Sequence, residues 1–247
     1  MMRTRWFVLS VFIILSACSG KNKKSINLSK DTVFVKHRSV AKPMSALERK
    51  YIDAGLVDVH QFDTSIRVLL KYATSDNFVK CNVYGSLEKA YTQKDVAEML
   101  AKAQKYLNEK KQGYHLIIFD ATRPMSVQKK MWDTLKMPAY EKIKYLSNPA
   151  YGGGLHNYGV AVDLSIVDDK EKELDMGTPF DFMGELASPQ CEAKMLSTRK
   201  LTQQQIDNRK LLRSIMNKAG FYAIPYEWWH FNLCAIQTAQ SKYKVIE

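Results

Sequence analysis

The pattern of apolar and polar positions divides the chain into a leader, a polar stretch and a patterned body. Arg3 and Arg5 precede an apolar run of about ten residues, Trp6 to Leu15, followed by small Ser16 and Ala17. Such a run is too short to cross a bilayer, which takes about 20 residues, so residues 1–17 read as an export signal. Residues 18–45 are polar and rich in Lys and Ser and read as a tether, with one short strand at Thr32 to Val35. The patterned body follows. Ser45 and Glu48 form a capping box ahead of a helix. Ile66, Val68, Leu70 and Tyr72 recur with the period of a strand, and Phe78 to Tyr84 predicts a second one. Thr92 and Asp95 predict another capping box; the helix behind it carries Val96, Met99, Leu100, Ala103 and Leu107 on one stripe and stops at Gly113.

Further on, the apolar strand Tyr114 to Phe119 feeds the loop Asp120-Ala121-Thr122-Arg123-Pro124, and Ser126 to Leu135 predicts a helix. Tyr151-Gly152-Gly153-Gly154 reads as a flexible turn, placed where backbone must come close to a neighbour. Val160 to Val167 reads as a strand with Asp163 inside it. Residues 168–199 are rich in charge, Gly and Pro and predict a long loop that walls a site. Thr202 and Gln205 open a last helix with Ile206, Leu211, Ile215 and Ala219 inward and Gly220 at its end; Tyr226 to Leu233 predicts the final strand. Helices and strands mix without regular βαβ alternation. The expected fold is therefore α+β, a mostly antiparallel sheet flanked by helices, in a single domain over residues 46–247.

Composition changes this picture in two places. The net charge of +12 raises the question of nucleic acid, but Lys is spread along the chain and no stretch interleaves cations with aromatics. No nucleic-acid partner is expected. Of the four cysteines, Cys18 closes Leu15-Ser16-Ala17-Cys18, which looks like a lipobox. Cleavage before Cys18 would leave it as the lipid-bearing first residue, so the expected location is the bacterial cell envelope, exported and anchored to a membrane by lipid. Cys81, Cys191 and Cys234 then allow at most one disulfide, and no CxxC pair suggests a structural zinc site.

The candidate chemistry lies in two separated segments. His156 follows the glycine turn and Asp163 lies in the next strand; later come Glu227-Trp228-Trp229-His230. Two imidazoles and a carboxylate are proper zinc ligands, and three protein ligands leave a fourth position open for chemistry. Glu227 supplies a second carboxylate, positioned by sequence to act as a base. The flanking Trp residues offer a dry wall that strengthens electrostatics. Asp120 either orients Arg123 or ends its strand. His37, His60 and His115 have no ligand-like neighbours, and Tyr158 is expected to pack beside the site.

These motifs resemble the D-alanyl-D-alanine dipeptidases of the vancomycin-resistance type, within the wider D-Ala-D-Ala metallopeptidases. The family pattern Ser-x-His-x-x-Gly-x-Ala-x-Asp, then Glu-x-x-His, is matched at His156, Gly159, Ala161, Asp163, Glu227 and His230. The likeness extends to Tyr72-Ala73-Thr74-Ser75-Asp76-Asn77-Phe78, Arg123-Pro124, Met176-Gly177-Thr178-Pro179-Phe180-Asp181-Phe182-Met183, Arg213-Ser214-Ile215-Met216 and Gly220-Phe221, covering roughly residues 60–235. The resemblance implies one Zn²⁺ held by His156, Asp163 and His230, with Glu227 as general base. It implies that Arg123 stabilises the oxyanion, and that Tyr72 and Asp181 meet the free amine of a small dipeptide substrate, D-Ala-D-Ala. Two positions depart from the pattern: Gly154 stands where the family has Ser, and Thr122 where it has an aromatic residue. The vancomycin-resistance type is cytoplasmic, whereas this chain reads as exported. Two alternatives stay open: a D,D-carboxypeptidase or endopeptidase acting on peptidoglycan stems, and a non-catalytic, zinc-stabilised binding lipoprotein.

Overall fold

The computed structural model describes residues 43–247. The export signal, Cys18 and the tether as far as residue 42, with its short strand, lie outside the described residues. In chain order come α1 (Ala46–Asp53), β1 (Val57–Asp58), β2 (Arg67–Val68), β3 (Tyr91–Thr92), α2 (Lys94–Lys110), β4 (His115–Asp120), α3 (Met125–Thr134) and α4 (Ala139–Lys142). They are followed by β5 (Ala161–Val167), α5 (Glu192–Ser197), α6 (Gln203–Ala219), β6 (Tyr222–Ala223), β7 (His230–Asn232) and α7 (Ile236–Lys242). The main sheet runs β2-β4-β5-β7-β6, and only the β2–β4 pair is parallel. This is the expected α+β domain with a mostly antiparallel sheet.

The sheet's centre is β5, whose seven residues are all buried. A strand covered on both faces holds its register firmly, because a slip of one residue would exchange its two faces. That register matters for chemistry. On β5, Asp163 lies opposite His230 of β7 on one side and Asp120 of β4 on the other, next to an irregularity in the β4 ladder. The apolar stripe of α2 packs against α6, with Val96, Leu100, Ala103 and Leu107 buried.

Several expected elements come out shorter or different. Only Arg67–Val68 of the predicted strand Ile66 to Tyr72 pairs in the sheet. The chain then curls into a 3₁₀ turn, Lys71–Ala73, which buries Tyr72. Phe78 to Tyr84 is no strand. Asn77 Nδ2 donates to the carbonyls of Lys71, Thr74 and Cys81, and these local bonds replace a ladder. The helix α2 is capped at Gln93, not Thr92, because Asp95 instead accepts from Lys242 Nζ and Tyr243 OH at the end of α7. On α6 Leu212 is fully buried, and Leu211 packs against the core but is only partly buried. The last strand is confined to His230–Asn232, so Glu227 lies in the loop before it. The short helices α4 and α7 have no counterpart in the predicted pattern. The three cysteines Cys81, Cys191 and Cys234 are all free. Among the described residues no helix is long and apolar enough to cross a membrane.

The predicted loop 168–199 does run mostly without regular structure, apart from α5, but it is pinned. Arg209 of α6, fully buried, donates through Nε to the Met176 carbonyl at 2.6 Å and through Nη2 to that of Leu186 at 3.0 Å. Arg213 holds Glu192 with two bonds of 2.8 and 2.7 Å. The segment carrying Asp181 is therefore fastened on both sides.

Between His156 and Asp163 the chain turns at Gly159, with φ of +69°. A Cβ there would meet Thr122 Oγ1 at 2.9 Å and Leu56 Cδ2 at 3.0 Å. Gly159→Ala is expected to cost about 1–3 kcal/mol from strain and crowding together. Gly85 has a similar φ of +63° but open space around it, so Gly85→Ala should cost only about 1 kcal/mol. Thermal unfolding of the two variants tests this; equal losses would show that the turn tolerates a side chain.

Candidate metal centre

His156, Asp163 and His230 come together from two parts of the chain. The latter two arrive by strand register. His156 arrives on a 3₁₀ turn, Leu155–Tyr158, that is stitched to the loop after β4. Arg123 N–H donates to the His156 carbonyl at 3.0 Å, and Asn157 Nδ2 donates back to the Arg123 carbonyl at 2.8 Å. One possible ligand atom from each of the three residues falls within 4.8 Å of the others.

The outer nitrogens of the two rings fix which atoms face the centre. His156 Nδ1 lies 2.7 Å from the Ala121 carbonyl, and His230 Nε2 lies 2.7 Å from Asn232 Oδ1. Both partners are acceptors, so these nitrogens carry the protons. The unprotonated nitrogens, His156 Nε2 and His230 Nδ1, then face each other at 3.2 Å. Asp163 Oδ1 lies 3.4 Å from the first and 2.9 Å from the second. Three acceptors pointed at one another in a buried place repel unless positive charge sits among them. The titration behaviour agrees. Burial works against the Asp163 carboxylate, but the neighbouring histidines outweigh it and hold the group well below the usual carboxylate range. Burial also works against the His156 cation, yet Asp163 pulls its pKa above the ordinary value. The donor set of two imidazoles and one carboxylate fits a divalent cation such as zinc.

All seven residues singled out in the described sequence, Tyr72, Arg123, His156, Asp163, Asp181, Glu227 and His230, line one open cleft of about 530 Å³. Glu227 Oε2 lies 4.0 Å from His230 Nδ1. Burial pushes its carboxyl up to about 8, against the pull of His230. Arg123 is buried and held from behind. Its Nη2 and Nε donate to Asp120 Oδ2 at 2.5 and 3.1 Å, and its Nη1 to Gln128 Oε1 at 3.1 Å. Asp120 thus orients Arg123, and is itself fixed by Tyr84 OH and the Ala121 N–H.

Asp181 sits across the cleft with a left-handed backbone, φ +63°, an uncommon conformation that recurs at functional positions. Tyr72 OH donates to its two oxygens at 2.8 and 3.0 Å. Burial pushes Asp181 up to about 7. Phe180 packs against Tyr72, Phe119 and Trp229 behind it, so the carboxylate stands on an aromatic wall. Of the tandem tryptophans only Trp229 lines the cleft; Trp228 turns away and donates to Thr178 Oγ1. Tyr158 is buried nearby, donating to the Gly152 carbonyl.

Sequence reasoning missed Asn232 and Gln128. Asn232 was legible in principle, since it lies two residues beyond His230 and so on the same strand face. The Ala121 carbonyl that sets the His156 tautomer is backbone and leaves no side-chain signal.

Comparison with known proteins identifies the family. The D-Ala-D-Ala dipeptidase family profile matches residues 52–246. The chain is 33% identical over 178 residues to a D-alanyl-D-alanine dipeptidase of Escherichia coli (strain K12), spanning 72% of this chain and 84% of that protein. It is 27% identical over 196 residues to the enzyme of that name from Enterococcus faecium, spanning 74% and 93%. With this match running from residue 52 to residue 246, the chain belongs to the D-Ala-D-Ala dipeptidase family of metallopeptidases.

Proposed function

We propose that this protein is a zinc dipeptidase that hydrolyses free D-Ala-D-Ala. The observation that carries the reading is the convergence of His156 Nε2, His230 Nδ1 and Asp163 Oδ1 in a cleft that also holds Glu227. These three residues would hold the ion. When bound, zinc acts as a Lewis acid, acidifying water and polarising a carbonyl.

The remaining work falls to the chain's own groups. Glu227, raised by burial, is a stronger proton acceptor than an ordinary Glu. It takes the proton of the attacking water and returns it to the leaving amine. Arg123, immobilised by Asp120 and Gln128, offers fixed positive charge to the oxygen of the attacked carbonyl. Asp181, with Tyr72, receives the substrate's ammonium. A free amine restores charge balance to this half-buried carboxylate, whereas an N-acylated peptide leaves it unpaired. This favours a dipeptidase over an enzyme acting on acylated peptidoglycan stems. Glu227 has no place in a purely structural zinc site, which disfavours a non-catalytic binding protein.

The leader Arg3 to Ala17 and the segment Leu15 to Cys18 support export, lipidation at Cys18 and attachment to an envelope membrane. The substrates are then dipeptides of the envelope or the surroundings.

Metal analysis and turnover separate the roles. Glu227→Gln should retain one zinc per chain and lose activity by about 10³-fold or more; His230→Ala should lose the metal as well. Equal turnover by wild type and Glu227→Gln would remove the proposed base. In a panel of dipeptides and acylated stems, assayed with and without chelator, free D-Ala-D-Ala should be cleaved and its N-acylated form spared. Cleavage of the acylated stem with equal efficiency would establish the carboxypeptidase alternative instead.

Asp181 also predicts a pH effect on stability. Its folded value of about 7 lies above the ordinary carboxylate value of about 3.9. The folded state therefore holds the proton more tightly, and stability is lost as pH rises from about 4 through 7. Asp181→Asn should raise Tm relative to wild type at pH 8 and give no such gain at pH 4. A gain of the same size at both pH values would contradict the assignment.

A further inference from the structure

The cleft has two unlike ends, joined by a continuous line of contacts. At one end Asp181 accepts from Tyr72 OH. The Tyr72 ring lies beneath the Arg123 guanidinium, with Cζ 5.3 Å from the ring centre. Arg123 Nη1 donates to Gln128 Oε1, and Gln128 Nε2 donates onward to the Ser147 carbonyl at 2.7 Å. Ser147 thus stands at the opposite end of this line from Asp181, with Arg123 between them.

Ser147 is seated in an unusual way. It packs directly on Gly154, the residue two before His156. A Cβ built on Gly154 would lie 2.3 Å from Ser147 Oγ and 2.9 Å from Ser147 Cβ. The Gly154 φ of −125° is one any residue adopts, so the glycine is needed here for space and not for backbone freedom. What fills that space is a hydroxymethyl group from another segment. Ser147 Oγ makes no hydrogen bond among the described residues, and Lys144, earlier in the same segment, makes no ion pair among them. Both line the cleft. Both residues are exposed, so a hydroxyl and an ammonium without protein partners are open to an incoming anion at the end away from Asp181.

The geometry points to Ser147, seated on Gly154, together with Lys144 as the subsite for the substrate's terminal carboxylate. This rests on the dipeptidase reading above. The two ends of the cleft match the two charges of a free dipeptide: the ammonium meets Asp181 and the carboxylate meets Lys144 and Ser147. Arg123, between them, lies where the peptide carbonyl must then fall. The anchor comes from a loop segment whose Ser147 carbonyl is held by Gln128, and not from the turn that carries His156.

The test uses binding as well as turnover. Full-length Glu227→Gln protein loaded with zinc is titrated calorimetrically with D-Ala-D-Ala and with its C-terminal amide, alone and with Ser147→Ala or Lys144→Met added. The free acid should bind at least about tenfold more tightly than the amide, as expected for charge-assisted hydrogen bonds, and each added substitution should shrink that preference. The double exchange Ser147→Gly with Gly154→Ser puts a hydroxymethyl group back into the same space from the other side and should restore much of the preference. In the active enzyme, Ser147→Ala should raise KM about tenfold with kcat nearly unchanged. Equal binding of acid and amide, or a preference untouched by both substitutions, overturns the subsite even if wild type cleaves the dipeptide. A preference that Ser147→Ala and Lys144→Met remove, in a protein without peptidase activity, sustains the subsite while the dipeptidase reading fails. Absence of any binding overturns the subsite.

Discussion

The site is organised by the mutual repulsion of three acceptors. His156 Nε2, His230 Nδ1 and Asp163 Oδ1 are brought within bonding distance of one another, and each is prevented from turning away. The imidazoles are locked by the Ala121 carbonyl and by Asn232; the carboxylate is locked by strand register. A buried cluster of this kind is costly in isolation, because no member can donate to the others without gaining a proton. It becomes favourable with a divalent cation at its centre. The surrounding structure can be understood as the scaffold that keeps the cluster from relaxing.

That scaffold has a clear division of labour. The buried strand β5 sets the height of Asp163 and, through its two neighbours, of His230 and Asp120. Asp120 anchors Arg123, and Arg123 and the His156 turn hold each other through one backbone bond and one from the Asn157 side chain. The loop with Asp181 is irregular, yet α6 pins it through Arg209 and Arg213. The groups proposed for chemistry sit on the sheet or beside it, whereas those proposed for recognition sit on irregular segments, the one with Asp181 fastened by Arg209 and Arg213. Positions that must be held closely are thus supported by strand ladders, whose geometry tolerates little slack.

Much of this was legible in the chain. The spacing of His156, Asp163, Glu227 and His230, with the motifs around them, identified the cluster and the family. Local signals also fixed the long helices α2 and α6 and the strands β4 and β5, because long stripes of apolar residues leave little choice of face. What failed was decided by side-chain contacts, some far along the chain and some local, that the apolar pattern does not carry. Asp95 gave up a capping role to pair with Lys242 and Tyr243, almost 150 residues away. Asn77 closed a loop where alternating apolar residues suggested a strand. The meeting of Ser147 with Gly154 left no trace in the pattern, since it depends on a loop folding back onto a turn.

The central claim is that the three acceptors share one cation. Crystals grown with zinc and measured across its absorption edge test this most directly. A single anomalous peak is expected in each chain, in contact with His156 Nε2, His230 Nδ1 and Asp163, with Glu227 nearby and unbound. A chain without a peak there, or with the two imidazoles bridged by a proton in the presence of excess zinc, would contradict it.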